Sequence, residues 1–133
     1  MAPGGPHPRV AVDGILLVDG KLLAVVRGRD PFRGLPALPG GFVELGEPTE
    51  AAIVRELKEE TGVDARVVRL VGVYSDPRRD PRGHVISVVY ELARVDGEPA
   101  AGSDAADVRL LDPDALPEMA FDHARIIAAW RGR

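Results

Sequence analysis

The sequence predicts a mixed α/β domain: one mixed sheet with helices covering two of its sides. Three observations predict it. Valine- and leucine-rich stretches stand both before and after a strong helical pattern at residues 48–62. A second helical pattern closes the chain. The length, 133 residues, suits one domain with a substantial core. Strands on both sides of a helix, with another helix at the end, fit a sheet between two helical layers. The expected boundaries are a frayed Pro/Gly-rich tail over residues 1–8, with His7 incidental to it, and a single domain over 9–133.

The elements follow in order. Val10 to Val18 reads as a strand and Lys21 to Arg27 as its hairpin partner, because Asp19-Gly20 is a strong two-residue turn signal. Residues 28–40, with prolines at 31, 36 and 39, read as irregular, and Gly41 to Glu44 as a short strand. Pro48 suits a first helical turn. Ile53, Val54 and Leu57 give the following helix a buried stripe, and Gly62 a left-handed stop. Ala65 to Tyr74 and His84 to Val95 read as strands, the second closed by Asp96-Gly97, and Val108 to Leu111 as a short one. Pro117 is expected to open a last helix through Trp130, with Phe121, Ala124, Ile127 and Trp130 facing inward.

Composition narrows the function classes. The net charge of -4 disfavours a broad nucleic-acid surface. There is no cysteine, so no disulfide framework or zinc–thiolate site can form, which permits a cytoplasmic home. The N-terminus has no apolar run of the signal-peptide kind, and no stretch approaches a transmembrane span. Neither nucleic acid nor membrane is therefore expected as a partner.

The most informative stretch is GFVELGEPTEAAIVRELKEETGV at residues 41–63. Residues three and four apart share a helix face, so Glu56 lies beside Glu59 and Glu60. Like charges at that spacing repel by about 0.2–0.5 kcal/mol per pair. Glu59 and Glu60 also stand in the last turn, where the helix dipole disfavours anions. A hard divalent cation reverses the sign of each of these effects, since magnesium and manganese take oxygen ligands. Taken alone, ELKEE is ordinary on a solvated helix face. The wider pattern is not ordinary. Gly41, Glu47, Arg55, Glu56, Glu59, Glu60 and Gly62, with Leu57 and Val63, fall at set spacings. By composition such a chance match is roughly one in ten million.

This pattern resembles the complete signature box of the Nudix hydrolases, with no departure at its defining positions. The resemblance implies a Nudix-type α/β/α sandwich and a magnesium- or manganese-dependent hydrolase that cuts a nucleoside diphosphate linked to another group. It implies Glu56, Glu59 and Glu60 as metal ligands, joined by the backbone carbonyl of Gly40 or Gly41. Arg55 then orients the carboxylates, where the residues alone also allow a surface pair with Glu59. Glu47 is open between an outer metal ligand and a helix N-terminal carboxylate favoured by the dipole. The general base is open among Glu56, Asp104 and Asp107, the last two also readable as solvated loop acids.

A second stretch, Tyr74 to His84, packs three arginines and a histidine between two strands. It suits a polar hairpin loop, but arginine forks also match phosphate geometry. The string SDPRRDPRGH, a proline fourteen positions after the box, and Phe121-Asp122-His123 resemble the small prokaryotic ADP-ribose pyrophosphatases of the family. That resemblance implies ADP-ribose as substrate, with AMP and ribose 5-phosphate as products. The candidate substrate contacts are Arg27, Arg29, Asp76, Arg78, Arg79, Arg82 and His84, with Arg33 a further cation. His123 reads either as a helix-surface residue or as a substrate contact. Phe32, Tyr74 and Phe121 are the available stacking platforms. The rival readings are a Nudix pyrophosphatase for nucleoside triphosphates or dinucleotides, and a module that binds ADP-ribose without cutting it. Relatives suggest a homodimer.

Overall fold

The computed structural model describes residues 6–102 and 105–132. The elements are β1 Arg9–Val18, β2 Lys21–Arg27, β3 Pro36–Ala37, β4 Gly40–Phe42, α1 Thr49–Thr61, β5 Asp64–Tyr74, β6 Val85–Asp96, β7 Ala105–Leu111 and α2 His123–Arg131. β1 organises the sheet. Its first eight residues run parallel to β6, from Arg9 opposite Val85 to Leu16 opposite Leu92. Its other edge carries β4, antiparallel, with Val12 opposite Gly41. On the β6 side, β5 pairs antiparallel with β6 and ends the sheet. The last two residues of β1 turn through Asp19-Gly20 into β2, which holds β3 and β7.

The alternation of side chains along β1 divides the core into two layers. Val12, Leu16 and Val18 pack with Ala52, Ile53 and Leu57 of α1. Ile15, between them, packs with Ile126 and Ile127 of α2. Helices therefore cover both sides of the central strands, as the fold class predicts.

α1 ends where the sequence says it must. Gly62 takes φ +75°, the left-handed region that costs glycine no Cβ clash, and its N–H closes on the carbonyl of Lys58 at 2.9 Å. The carbonyls of Glu60 and Thr61 accept N–H groups of Gly102 and Ala100, each at 2.8 Å. Pro48 is extended and precedes the helix rather than opening it.

The last helix differs most from expectation. It begins at His123, not Pro117. The N–H of Ala120 goes instead to the carbonyl of Pro36 at 2.9 Å, Met119 and Ala120 are buried, and Phe121 takes φ +52°. A tertiary contact thus takes a backbone N–H that a helix would have used. The start shifts the inward face: Ile126 and Ile127 are fully buried, Ala124 is exposed, and Phe121 lies outside the helix. β7 also begins three residues earlier than Val108, paired along β2.

Candidate functional site

One face of α1 gathers the box side chains around a single guanidinium. Arg55 forks onto Glu47, with Nε–Oε2 at 2.7 Å and Nη2–Oε1 at 2.9 Å. Its Nη1 donates to Glu56 at 2.9 Å and to Glu59 at 3.3 Å, and its Nη2 to the carbonyl of Phe42 at 3.3 Å. One planar cation thereby sets three carboxylates, one of them through a two-point fork that a lysine could not make. The hydrogen bonds from Arg55 and the Glu44 N–H hold the Glu47 carboxyl at about 2. Glu47, in return, pushes the Arg55 guanidinium above its ordinary range.

The other two carboxyls are shifted upward. Burial raises Glu56, against the opposing pull of Arg55. Burial pushes Glu60 up to about 8, helped by the charges of Glu56 and Asp13, although its Oε1 accepts the Gly40 N–H at 2.8 Å. Each group loses water and stands near another anion. Gly41 makes room for the set: a Cβ there would lie 2.5 Å from the Glu56 carboxyl carbon.

This donor set fits a divalent cation in its chemistry. The oxygens are hard, they stand on one helical turn, and glycine backbone lies against them. Among the described residues no three acidic, histidine or cysteine side chains already converge on one point. Glu56 and Glu59 are turned onto Arg55, and Glu60 onto the Gly40 amide.

A cleft of about 220 Å³ opens beside this face, bordered by Glu60, Gly40 and Gly41. Arg27, Arg29, Arg79 and Arg82 line it. Arg27 Nε donates to the Pro31 carbonyl at 2.6 Å, and its guanidinium lies 5.0 Å from the Phe121 ring. Arg82 pairs with buried Asp80 at 2.8 Å and reaches both Phe42 and Phe121, at 5.3 and 5.6 Å. Arg79 is committed elsewhere, with Nε and Nη2 forked onto Asp122 at 2.9 and 2.7 Å.

Among the described residues, Asp76, Arg78, His84, Arg33 and Asp107 are not part of the cleft lining. Asp76 accepts the Arg78 N–H at 2.8 Å within an exposed turn, and the Arg78 side chain is 92% exposed. His84 Nε2 is 3.0 Å from the Ser75 carbonyl. Arg33 is exposed. Asp107 sits on β7 opposite Val26, half-exposed and paired with Arg109. Asp104 lies outside the described residues. Of the aromatic rings, Phe32 meets Phe121 edge-on at 4.8 Å, while Tyr74 packs against the α2 layer.

His123 is not on the surface. It is 3% exposed, its Nδ1 accepts the Leu38 N–H at 2.9 Å, and burial lowers its pKa. Its neighbour Asp13 is a further cleft residue that no motif in the sequence marks. A lone acid inside VAVDGILLV was the available signal, and such an acid on a buried strand needs partners. Asp13 accepts the Ser87 hydroxyl, and burial raises its pKa.

Comparison with known proteins gives the same picture. The chain is 56% identical over 121 residues to the ADP-ribose pyrophosphatase of Methanocaldococcus jannaschii, covering 91% of this chain and 72% of that protein. It is 36% identical over 91 residues to the ADPR responsive transcriptional repressor NtrR of Acinetobacter baylyi, covering 64% of this chain and 36% of the repressor. Its fold superposes on the NUDIX domain of Shewanella oneidensis NrtR, solved with ADP ribose, with a TM-score of 0.84 and 29% identity over 97% of this chain and 90% of that one. The family model for the NUDIX domain matches residues 7–130, which take in the box carboxylates, Arg55 and the cleft they border, and the chain therefore belongs to the Nudix family.

Proposed function

We propose that the protein hydrolyses the diphosphate of ADP-ribose, giving AMP and ribose 5-phosphate. The observation that carries this is the junction of two parts: an intact face of box carboxylates and an arginine-lined cleft that share Glu60, Gly40 and Gly41. The identity to the M. jannaschii pyrophosphatase supports the choice of substrate.

Glu56, Glu59, Glu60 and the Gly41 carbonyl would hold magnesium or manganese. Such a cation, when bound, neutralises diphosphate charge and eases ionisation of a water. The chain's own groups do the rest. Arg27 and Arg29 line the cleft and offer cations to the diphosphate. Arg55 orients the carboxylates, keeping Glu47 ionised as it does so. Glu56 Oε1 is held by Arg55, which leaves Oε2 to take the proton of the attacking water. Burial of Glu56 raises its proton affinity, as a general base requires. In this reading Asp76, Arg78 and His84 shape the loop, and Arg79 and Arg82 build the cleft wall.

A nucleotide is the partner, with neither nucleic acid nor membrane. Among the described residues no helix is long and apolar enough to cross a membrane. The lack of cysteine permits a cytoplasmic place. Exposed Val68, Leu70 and Val73 on β5 support a homodimer, which sedimentation would test.

A hydrolysis screen tests the whole reading. It would offer ADP-ribose, NADH, dinucleoside polyphosphates and nucleoside triphosphates, each with magnesium or manganese. Release of AMP and ribose 5-phosphate from ADP-ribose is expected. Tight binding of ADP-ribose without turnover would instead favour a sensing module, in line with the similarity to the ADPR responsive repressor of Acinetobacter baylyi.

A further inference from the structure

The floor of the cleft holds two polar side chains that the hydrolytic machinery above does not use. Asp13 comes from the middle of β1 and His123 from the first residue of α2, and both line the cleft while only 8% and 3% exposed. Their hydrogen bonds fix what each presents. The Leu38 N–H donates to His123 Nδ1 at 2.9 Å. A ring nitrogen that accepts carries no proton, so the imidazole proton sits on Nε2. That Nε2 is 3.7 Å from Asp13 Oδ2, beyond hydrogen-bond reach. Asp13 Oδ2 already accepts the Ser87 hydroxyl, and Oδ1 lies beside Gly40 at the cleft border. Among the described residues no side-chain polar atom sealed from solvent lacks a partner. The Nε2–H and Oδ1 therefore open to the cleft.

An acceptor beside a donor suits a group that itself donates and accepts. A sugar hydroxyl does both with one oxygen, and an aminopurine edge does both with an amino group next to a ring nitrogen. An ionised phosphate does not suit it: it brings acceptors only, and would set oxygen against the Asp13 carboxyl with no proton between them. The Arg79 guanidinium in the cleft wall does not change this, because its fork is committed to Asp122.

We propose that Asp13 and His123 form a specificity subsite that takes an uncharged hydroxyl or amino edge of the ligand at the cleft floor and turns phosphate away. The proposal rests on the ADP-ribose reading, whose ligand carries both kinds of group, on its terminal ribose and on its adenine. Ser87 and Leu38 are the positioning residues, one holding the carboxyl and the other the tautomer.

Steady-state hydrolysis with magnesium tests it on the unaltered protein, with three substrates: ADP-ribose, its counterpart with hypoxanthine for adenine, and its counterpart lacking the terminal-sugar hydroxyls. One of the two altered substrates should show KM raised about tenfold with kcat little changed, the cost of leaving a buried acceptor unpaired away from the reacting phosphorus. Which one responds assigns the group. In Asp13→Asn, one carboxyl oxygen becomes a donor, so that discrimination should collapse while the other altered substrate keeps its ratio to ADP-ribose. A merely structural role for Asp13 would shift all three substrates together. Equal KM for all three on the unaltered protein overturns the subsite and leaves the hydrolase reading standing. No hydrolysis of ADP-ribose at all overturns the hydrolase reading, and the subsite with it.

Discussion

At the scale of residues, the chemistry turns on how each carboxyl is held. Glu60 is raised from an ordinary 4.5 to about 8, chiefly by burial. The folded protein then binds a proton that the unfolded chain has released over this interval. Without divalent cation, the Glu60 contribution to stability is complete below about 4.5 and is lost as pH rises through about 8. Glu60→Gln should flatten that decline, measured as unfolding temperature against pH in EDTA, and should cost at least about a hundredfold in turnover. A pH-independent unfolding temperature in both proteins would refute the burial argument. The base assignment is separable. Glu56→Gln is expected to lose about a hundred- to ten-thousandfold in kcat, and Asp107→Asn to leave it unchanged, because Asp107 is paired with Arg109 away from the cleft. A slow Asp107→Asn enzyme that still binds metal and substrate would move the base to β7.

At the scale of elements, two tethers place the cleft walls. The Arg79–Asp122 fork ties the β5–β6 loop to the start of α2, with the Arg79 side chain 5% exposed. Arg79→Ala leaves Asp122 without that partner and should cost about 3 kcal/mol in urea unfolding. Arg78→Ala, on a side chain in solvent, should stay within about 0.5 kcal/mol. Equal effects would mean that the fork is not a structural tie. The α2 face makes a similar contrast. Ile127→Ala is expected to cost about 2–5 kcal/mol and Ala124→Ser less than about 0.5 kcal/mol, since the first is fully buried and the second exposed. Thermal unfolding of the pair would show whether the helix truly presents Ile126 and Ile127 to the sheet.

At the scale of the whole molecule, function depends on bringing α1 and the cleft together across β1. Val12 and Leu16 pack toward α1, while Asp13 and Ile15 serve the α2 side. The segment Leu38–Gly40 is held by His123 at one end and Glu60 at the other. A ligand in the cleft therefore touches elements from both halves of the chain. Catalytic efficiency should accordingly favour ADP-ribose over a nucleoside triphosphate. Competition kinetics with both present would check this, and a preference for the triphosphate would change the substrate while keeping the hydrolase.

The sequence by itself determined the box, its helix and the strands that flank it. Those signals are local: Glu56, Glu59 and Glu60 share a face by helical geometry, Asp19-Gly20 sets a hairpin, and Gly62 ends α1 with φ +75°. Only the tertiary structure decided the cleft floor and the start of α2. His123 and Leu38 are 85 positions apart, and Ser87 and Asp13 are 74 apart. Neither pair leaves a periodic trace in the chain. Residues 117–122 carry a helical pattern, yet the Ala120 N–H bonds the carbonyl of Pro36 on β3 instead. Burial raised Glu60 and lowered His123 for the same reason, because removal from water is a property of the packed molecule and not of any residue within it.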